Sequence, residues 1–584
     1  MNISDLLRTG WTGTSLSPLS EMDIAFAHML QSLAPSQDPR HLWLAALVSH
    51  QWGRGHACLT SPLNMADAAD QLAWPTSALQ AIPTDVWQAL PTLPWTQGDD
   101  SPLVLDGSRL YLRRAWRAEQ RIRQCLQMLQ QQQFVPAPQL AQQLDALFET
   151  NLANDQQRQA CAHAASHALT LITGGPGTGK TTTVVKLLRL LQASAESPLK
   201  TILTAPTGKA AARLAQAMAQ ARQTLPEALA ACLPTQAHTL HKLLQTSHQQ
   251  PTASLQADVV VVDEASMVDL ELMARLLQAV PRQARLVLLG DKDQLASVEA
   301  GAVMAQLCQA PWLAQNTIAL SYSHRFDAHQ GIGQWAKAAN AGDIPALQQL
   351  WTEAPEGCLP HGSTVSRLSA RQSHHPTSYQ HIRSAWAEWL SLLSPHQQGH
   401  AASDAQALAL LNSFAKLGVL CALREGPWGV NAFNAHIQKA LGFADAPWFV
   451  GRPVMARRND YALGLMNGDT GLCLPQLVGT EHRLRVAFAD GLGGVKWQVP
   501  SRLAAVDTAF AITVHQSQGC EFEQVLLVLP DTPAPLLTRE LIYTGMTRAR
   551  QQLCVWAPEP DLLSQACSRT VRRSGGLSVA KSQP

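Results

Sequence analysis

The sequence predicts an α/β fold: two parallel-sheet units behind a mostly helical N-terminal region, with a small β-barrel inserted in the second unit. Three observations predict it. From about Asn151, short β-branched runs (TILTAP, VVVVDEAS, ARLVLLGD) alternate with alanine- and leucine-rich helical stretches, the pattern of a parallel sheet with crossover helices. Near Gly451 the pattern changes to short strands separated by the turn pairs Asn459-Asp460, Asn467-Gly468 and Asp490-Gly491. The α/β pattern resumes at about Thr508.

The elements follow in chain order. HLWLAALVSHQW, His41 to Trp52, is apolar nearly all round and predicts a buried helix, with Gly53 and Gly55 as stop signals. It serves a private core or an interface equally well. PLVLDGSRLYLRR, Pro102 to Arg114, predicts a hairpin turning at Asp106-Gly107. A basic helix follows with Arg113, Arg114, Arg117 and Arg121, read as a solvated face in preference to a nucleic-acid or partner patch. The glutamine run Gln130 to Gln133 and FVPAPQ mark a linker. Residues Pro360 to Ala402, rich in Ser, His and Gln, predict a surface excursion. The resulting division is 1–115 N-terminal, 116–150 linker, 151–335 first α/β domain, 336–568 second with the insertion at about 450–505, and 569–584 a flexible basic tail.

The chain of 584 residues is too long for one core, and 46% hydrophobic content is ordinary for a globular protein. A formal charge of +1 excludes a global polycationic field, so any polyanion site is a local patch. Eleven cysteines without a CxxC pair argue against a zinc ribbon or a disulfide framework and fit a reducing, cytoplasmic setting. MNISDLLRTGW lacks the pattern of a signal peptide, and no apolar run is long enough for a membrane span.

The chemistry concentrates in LITGGPGTGKTTT, Leu171 to Thr183. Gly174-Gly175-Pro176-Gly177-Thr178-Gly179-Lys180-Thr181, followed by Thr182, fits the P-loop pattern between a strand (Ala168 to Ile172) and a helix (Thr182 to Leu191). Its glycines let backbone N–H groups point at phosphate oxygens, and the next helix presents its positive end to them. Lys180 would neutralise the β- and γ-phosphates, and Thr181 would hold Mg²⁺. ADVVVVDEAS then places Asp263 and Glu264 at the end of a buried strand, the Walker B arrangement. Asp263 would position Mg²⁺ and Glu264 would orient and deprotonate the attacking water. The pair predicts an ATP- and Mg²⁺-dependent hydrolase. His163 and His167 have metal-ligand spacing, but Ala164 stands where a zinc protease has glutamate, so they read as helix surface or packing. His374-His375 reads as a solvated loop.

Further motifs decide what the hydrolysis serves: GDKDQLASVEAG (Gly290 to Gly301), LSYSHRF (Leu320 to Phe326), TAFAITVHQSQGCEF (Thr508 to Phe522) and IYTGMTRAR (Ile542 to Arg550). In order and spacing, from Gln157 to Arg550, they resemble superfamily 1 DNA helicases, within them the RecD-like 5′→3′ branch. The resemblance implies two RecA-like motor domains and an SH3-like barrel carrying NGDTG, Asn467 to Gly471. It also implies roles. Gln157 would read the adenine edge, Gln294 would link the γ-phosphate to the DNA site, and Glu521 would lie near the ribose. Arg325 and Arg548 would be arginine fingers; planar guanidinium groups suit the spread charge of phosphoryl transfer. Single-stranded DNA would meet Thr207, Thr239, His241, Thr513, His515 and Ser517, although Thr239 also reads as a helix N-cap. One departure is Gln516, where relatives often carry lysine, which puts one phosphate contact in doubt.

LAALVSHQWGRGHACL and PLVLDGSRLYLRRAWRAEQR resemble the amino-terminal domain of the RecD family, the alpha subunits of exodeoxyribonuclease V (RecBCD). That implies a heterotrimer with RecB-like and RecC-like subunits, acting on double-strand DNA ends in recombinational repair, with nuclease activity in a partner. Two other readings stay open: a stand-alone helicase of the same branch, for replication or plasmid transfer, and a non-catalytic assembly subunit. The second sits poorly with a full set of motif residues.

Overall fold

The computed structural model describes residues 18–579 except 63–66, 69–71, 73, 75–78, 80–81, 149–151, 246–253, 298, 327–329, 358–362, 374–375, 461 and 492. The N-terminal stretch MNISDLLRTGW and the pair His374-His375 lie outside the described residues.

The N-terminal region begins with helices Glu21–Leu33 and Pro39–Gly53. Ser20 and Asp23 form a capping box on the first, and Asp38 caps the second, with Pro39 at its first position. The second helix is buried from His41 to Val48, and its residues pack with Leu30, Trp95, Leu103 and Leu110. The apolar run therefore serves a private core. Beside it lie β1 (Cys58–Thr60), β2 (Leu103–Asp106) and β3 (Arg109–Leu112), antiparallel in the order β1-β3-β2. The predicted hairpin is present: Asp106 pairs with Arg109, leaving Gly107 and Ser108 as the two-residue turn.

Strand β3 runs directly into helix Arg113–Gln130, which corrects the linker prediction for 116–150. The helix carries Ala115, Ala118, Ile122, Leu126 and Leu129 into the same core as Val260 and Leu286 of the first α/β unit. Arg114, Arg117 and Arg121 are exposed, as a solvated face requires, and the opposite face is buried. Beyond it, the Arg285 guanidinium lies 3.6 Å from the Phe134 ring centroid and holds the predicted linker sequence against the first unit.

The first unit is a six-stranded parallel sheet in the order β6-β5-β7-β8-β4-β9. Its strands are β4 (Leu169–Gly174), β5 (Thr201–Ala205), β6 (His238–Thr239), β7 (Val259–Val262), β8 (Arg285–Gly290) and β9 (Thr317–Leu320). Successive side chains of β7 enter opposite cores: Val260 and Val262 one, Val259 and Val261 the other. Burial on both faces explains the unbroken valine run.

The second unit is a five-stranded parallel sheet. It starts with β10 (Val365–Leu368) and β11 (Leu417–Cys421). An insertion then forms β12 (Pro453–Ala456), β13 (Thr470–Val478), β14 (Glu481–Ala489), β15 (Val495–Gln498) and β16 (Val506–Thr508). These pair antiparallel in the open order β15-β14-β13-β12-β16, so β15 and β16 are both edges and barrel closure is not seen among the described residues. The parallel sheet finishes with β17 (Ala511–Thr513), β18 (Phe522–Val528) and β19 (Ala549–Trp556), in the order β10-β19-β18-β11-β17.

Two expectations are corrected here. Residues 360–402 are not a surface excursion: β10 completes the sheet edge, and Trp386 and Trp389 are fully buried in the core. Trp386 stacks on Phe414 with centroids 5.2 Å apart, and its indole N–H donates to the Phe414 carbonyl. Trp386→Ala is expected to cost about 3–5 kcal/mol of stability, read as a lower denaturant midpoint with unchanged slope. The tail from 569 is the second correction: residues 571–579 run back across the molecule, with Leu577 1% exposed. Residues 580–584 lie outside the described set.

Candidate active site

The loop after β4 ends where helix Lys180–Ser194 begins. Gly177 and Gly179 have φ of 79° and 80°, in the left-handed region. A Cβ on Gly177 would lie 2.4 Å from the Arg325 Cβ, and one on Gly179 would lie 2.3 Å from the Gln157 Nε2. Gly179→Ala is therefore strained twice over, by conformation and by contact. It is expected to lower ATP turnover at least about tenfold, since a misplacement near 1 Å can cost more. Steady-state ATPase assays check this. Thr178 Oγ1 donates to the Gly175 carbonyl at 2.8 Å, and Gln157 Nε2 donates to the Thr178 carbonyl at 3.1 Å. Lys180 Nζ folds onto its own loop, donating to the carbonyls of Gly174 at 2.6 Å and Gly175 at 3.0 Å.

Across the cavity, β7 delivers Asp263 and Glu264. Glu264 is the only non-glycine residue with positive φ (52°) among the described residues, a strained conformation of the kind found at functional sites. The Asp263 carboxylate accepts its backbone N–H at 2.9 Å. Burial and the neighbouring Glu264 push Asp263 up to about 6, against the pull of Lys180. Asp291, buried behind the loop, is pushed up by burial too, and it accepts from the Tyr543 hydroxyl at 3.1 Å.

Glu521 is a hub for arginines. Its Oε1 accepts from Arg213 Nη2 at 3.0 Å, and its Oε2 from Arg325 Nη2 at 2.8 Å and Arg550 Nε at 3.0 Å. Burial works to raise its pKa, but the charges of Arg213 and Arg325 outweigh it and hold it down at about 2. Arg548 is 3% exposed; its Nε donates to the Thr544 carbonyl and its Nη1 to the Cys520 carbonyl, each at 3.2 Å. Arg325 Nη1 and Arg548 Nη2 are buried without a hydrogen-bond partner among the described residues. Buried guanidinium donors are costly to leave unpaired, and both arginines face one cavity.

That cavity has a volume of about 900 Å³. Its wall holds Gln157, Pro176, Gly177, Thr178, Gly179, Lys180, Thr181 and Thr182 from one side. Asp263, Glu264, Gln294, Arg325, Glu521 and Arg548 close the others. Gly174 and Gly175 lie just behind, as acceptors for Lys180. Sequence reasoning missed Arg213, His324 and Arg550, which also line it. His324 adjoins Arg325 and contacts Gln157 at 3.2 Å, and Arg550 ends the IYTGMTRAR motif, while Arg213 carried no signal beyond its charge.

The six predicted DNA contacts are not gathered in that way. Thr207 caps helix Gly208–Gln223 through Ala210 N–H, and Thr239 accepts from Lys242 N–H as an N-cap while 7% exposed. His241 is exposed. Thr513 is tied to Gln516, which accepts from its N–H at 2.9 Å, so the residue replacing lysine stabilises the turn. His515 is partly buried, and burial lowers its pKa. Ser517 is corrected: it is fully buried and its hydroxyl donates inward to the Val514 carbonyl at 2.7 Å. The histidines at 163 and 167 stack on each other with centroids 4.0 Å apart, and no cluster of three or more metal-ligating side chains occurs among the described residues. No described helix is long and apolar enough to cross a membrane.

Comparison with known proteins matches three family models: the RecBCD enzyme subunit RecD N-terminal domain over residues 16–111, an AAA domain over 157–300, and a UvrD-like helicase C-terminal domain over 508–556. The RecBCD enzyme subunit RecD of Mycobacterium tuberculosis is 37% identical over 583 residues, covering 95% of this chain and 94% of the relative. That of Haemophilus influenzae is 33% identical, covering 82% and 81%. The ATP-dependent RecD2 DNA helicase of Deinococcus radiodurans is 30% identical, covering 68% of this chain and 48% of the relative. With a nucleotide-binding loop, a strained acidic pair and converging arginines between two parallel sheets, the chain belongs to the RecD subunit family of RecBCD enzymes.

Proposed function

We propose that this chain is an ATP-driven 5′→3′ motor on single-stranded DNA, working at double-strand ends as the RecD-type subunit of an exodeoxyribonuclease V. One observation supports it most: Arg325 and Arg548, each with a buried guanidinium nitrogen left unpaired, stand in the wall of the cavity that holds the P-loop and the Asp263–Glu264 pair. Guanidinium groups in that wall suit the phosphate charge of a transition state.

The residues divide the work. The P-loop backbone and Lys180 hold the phosphates, Gln157 stands at the edge expected for the base, and Glu264 orients and deprotonates the attacking water. Asp263 and Thr181 both offer hard oxygen ligands to the one cavity, so the pair fits Mg²⁺. When bound, Mg²⁺ would neutralise charge on the phosphates. Gln294 reaches the cavity from the segment after β8, whose neighbour Leu295 bonds Thr544 and Gln518 of the second unit. This seam gives hydrolysis a path to domain movement. Thr207, Thr239, His241, Thr513 and His515 remain candidates for the DNA surface, and RecB-like and RecC-like subunits are the proposed partners.

ATPase assays with and without single-stranded DNA test the reading. Turnover should rise at least about tenfold with DNA, as for an enzyme whose catalytic site is completed by closure. If turnover ignores DNA both in the chain alone and in complex with its partner subunits, the motor reading fails.

A further inference from the structure

The last described segment, Val571 to Val579, is anchored at every stage of its path. It leaves the second unit where the Glu540 carboxylate accepts from Val571 N–H, at 3.1 Å to each oxygen. It then meets the first unit. Arg573 Nη1 donates to the carbonyls of Glu299 at 2.7 Å and Gly301 at 3.4 Å, and Gln306 Nε2 donates to the Arg573 carbonyl at 3.1 Å. Glu299 and Gly301 end the GDKDQLASVEAG motif that also supplies Gln294 to the ATP cavity.

The segment next enters the N-terminal region. Ala57 N–H donates to the Ser574 carbonyl at 2.8 Å, and Ser574 N–H donates to His56 Nδ1 at 3.0 Å. Burial, with Arg54 and Arg573 nearby, pushes His56 down to about 3, so its neutral ring is free to accept. Gly576 N–H donates to both oxygens of buried Glu119, at 2.9 and 3.0 Å. Arg123 Nη2 donates to the carbonyls of Gly576 at 2.7 Å and Val579 at 2.9 Å. Trp312 Nε1 donates to the Leu577 carbonyl at 3.0 Å, and the Leu577 side chain joins the shared core.

The groove demands the glycine pair. A Cβ on Gly575 would lie 2.5 Å from Gln306, and one on Gly576 would lie 2.6 Å from the Tyr111 hydroxyl and 2.7 Å from Glu119. A serine-, glycine- and arginine-rich stretch would remain disordered in isolation. Here six of the ten backbone N–H and C=O groups from 573 to 577 have a built receptor, and the receptor uses a buried carboxylate and a buried guanidinium. Such a site is a specific peptide-binding surface, and its ligand is the chain's own C-terminus.

We propose that Val571–Val579 is a strap that ties the second motor unit to the motif after β8 and to the N-terminal region, and that it holds the ATP cleft near its closed geometry. The strap starts on helix Arg539–Met546, which leads into Arg548, and ends against Arg123, on the helix that shares a core with the first unit. Losing it lowers the fraction of molecules whose cleft is in the geometry competent to bind ATP. The consequence for turnover rests on the ATPase reading above; the docking itself does not.

Two measurements on the full chain test it. Hydrogen exchange should show the amides of Ser574 and Gly576 protected for minutes or longer, with that protection lost in Gly576→Val. Exchange of both at the rate of a free peptide overturns the docking, whatever the ATPase activity. A chain ending at Arg569 should keep its fold by circular dichroism and show a KM for ATP raised about fivefold, with a peptide of residues 570–584 restoring it in trans, as expected when the competent fraction falls in that proportion. An unchanged KM and kcat in the folded truncated chain, with and without DNA, overturns the coupling. Should the truncated chain not fold, Arg573→Ala cuts only the tie to Glu299 and Gly301 and carries the same test: raised KM supports the strap, unchanged kinetics sink it.

Discussion

Lys180→Gln is expected to reduce ATP turnover by about 10³-fold or more while leaving the chain folded, because the lost charge acts on phosphate and not on the core. Among the described residues the ammonium bonds only to the carbonyls of Gly174 and Gly175, both within its own loop. Losing those two partly exposed, charge-assisted hydrogen bonds costs about 1.5–3 kcal/mol each at most, below the stability of a typical domain. Glutamine retains the length to reach one carbonyl, so the loop keeps its shape. What it cannot supply is a positive charge beside Asp263 and Asp291, whose pKa values Lys180 pulls down against burial. The variant should therefore melt within a few degrees of wild type and retain partner binding, with turnover at background. Persisting turnover would remove the P-loop from the mechanism, since no second lysine in the cavity wall starts a helix behind a glycine-rich loop.

The ATP site was legible in the sequence because its parts are local. A P-loop needs its glycines and lysine within a few residues, and β7 announces itself by burying both faces. The distant half was legible only through motif order. Nothing in local composition says that Glu521 meets Arg213, Arg325 and Arg550, which are separated by up to 308 residues in sequence. Ser517 shows the opposite failure: its motif position suggested a surface contact, but the turn at His515–Ser517 directs its hydroxyl to the Val514 carbonyl. Composition misled in three further places for a single reason. Polar or charged residues dominated the reading of 360–402, of the linker placed from 116 and of the C-terminal segment, whereas a few apolar side chains (Trp386 and Trp389, Ile122 and Leu126, Leu577) decided their placement. Burial is set by the best-packed residues of a segment, not by its average.

The two arginines differ in how they are held, and that difference predicts different behaviour. Arg325 is neutralised by Glu521, which Arg213 and Arg550 share, so it can leave its carboxylate without stranding a bare charge. Arg548 is fixed by neutral carbonyls of Thr544 and Cys520, with one nitrogen unpaired in the buried wall. Its geometry is set in advance of any nucleotide, which is what transition-state stabilisation requires. Arg548→Lys should then lower kcat by about 10³-fold or more with little change in ATP affinity, because an ammonium keeps the charge but loses the planar fork. Arg325→Lys should lose less, since lysine still pairs with Glu521 and still carries charge into the cavity. Single-turnover hydrolysis alongside equilibrium binding of a fluorescent ATP analogue separates the two effects. A matching loss of affinity in Arg548→Lys would show that Arg548 acts in ground-state binding. An unchanged kcat would show that the unpaired nitrogen has no part in the reaction, and the proposed dependence of hydrolysis on closure of the two units would fall with it.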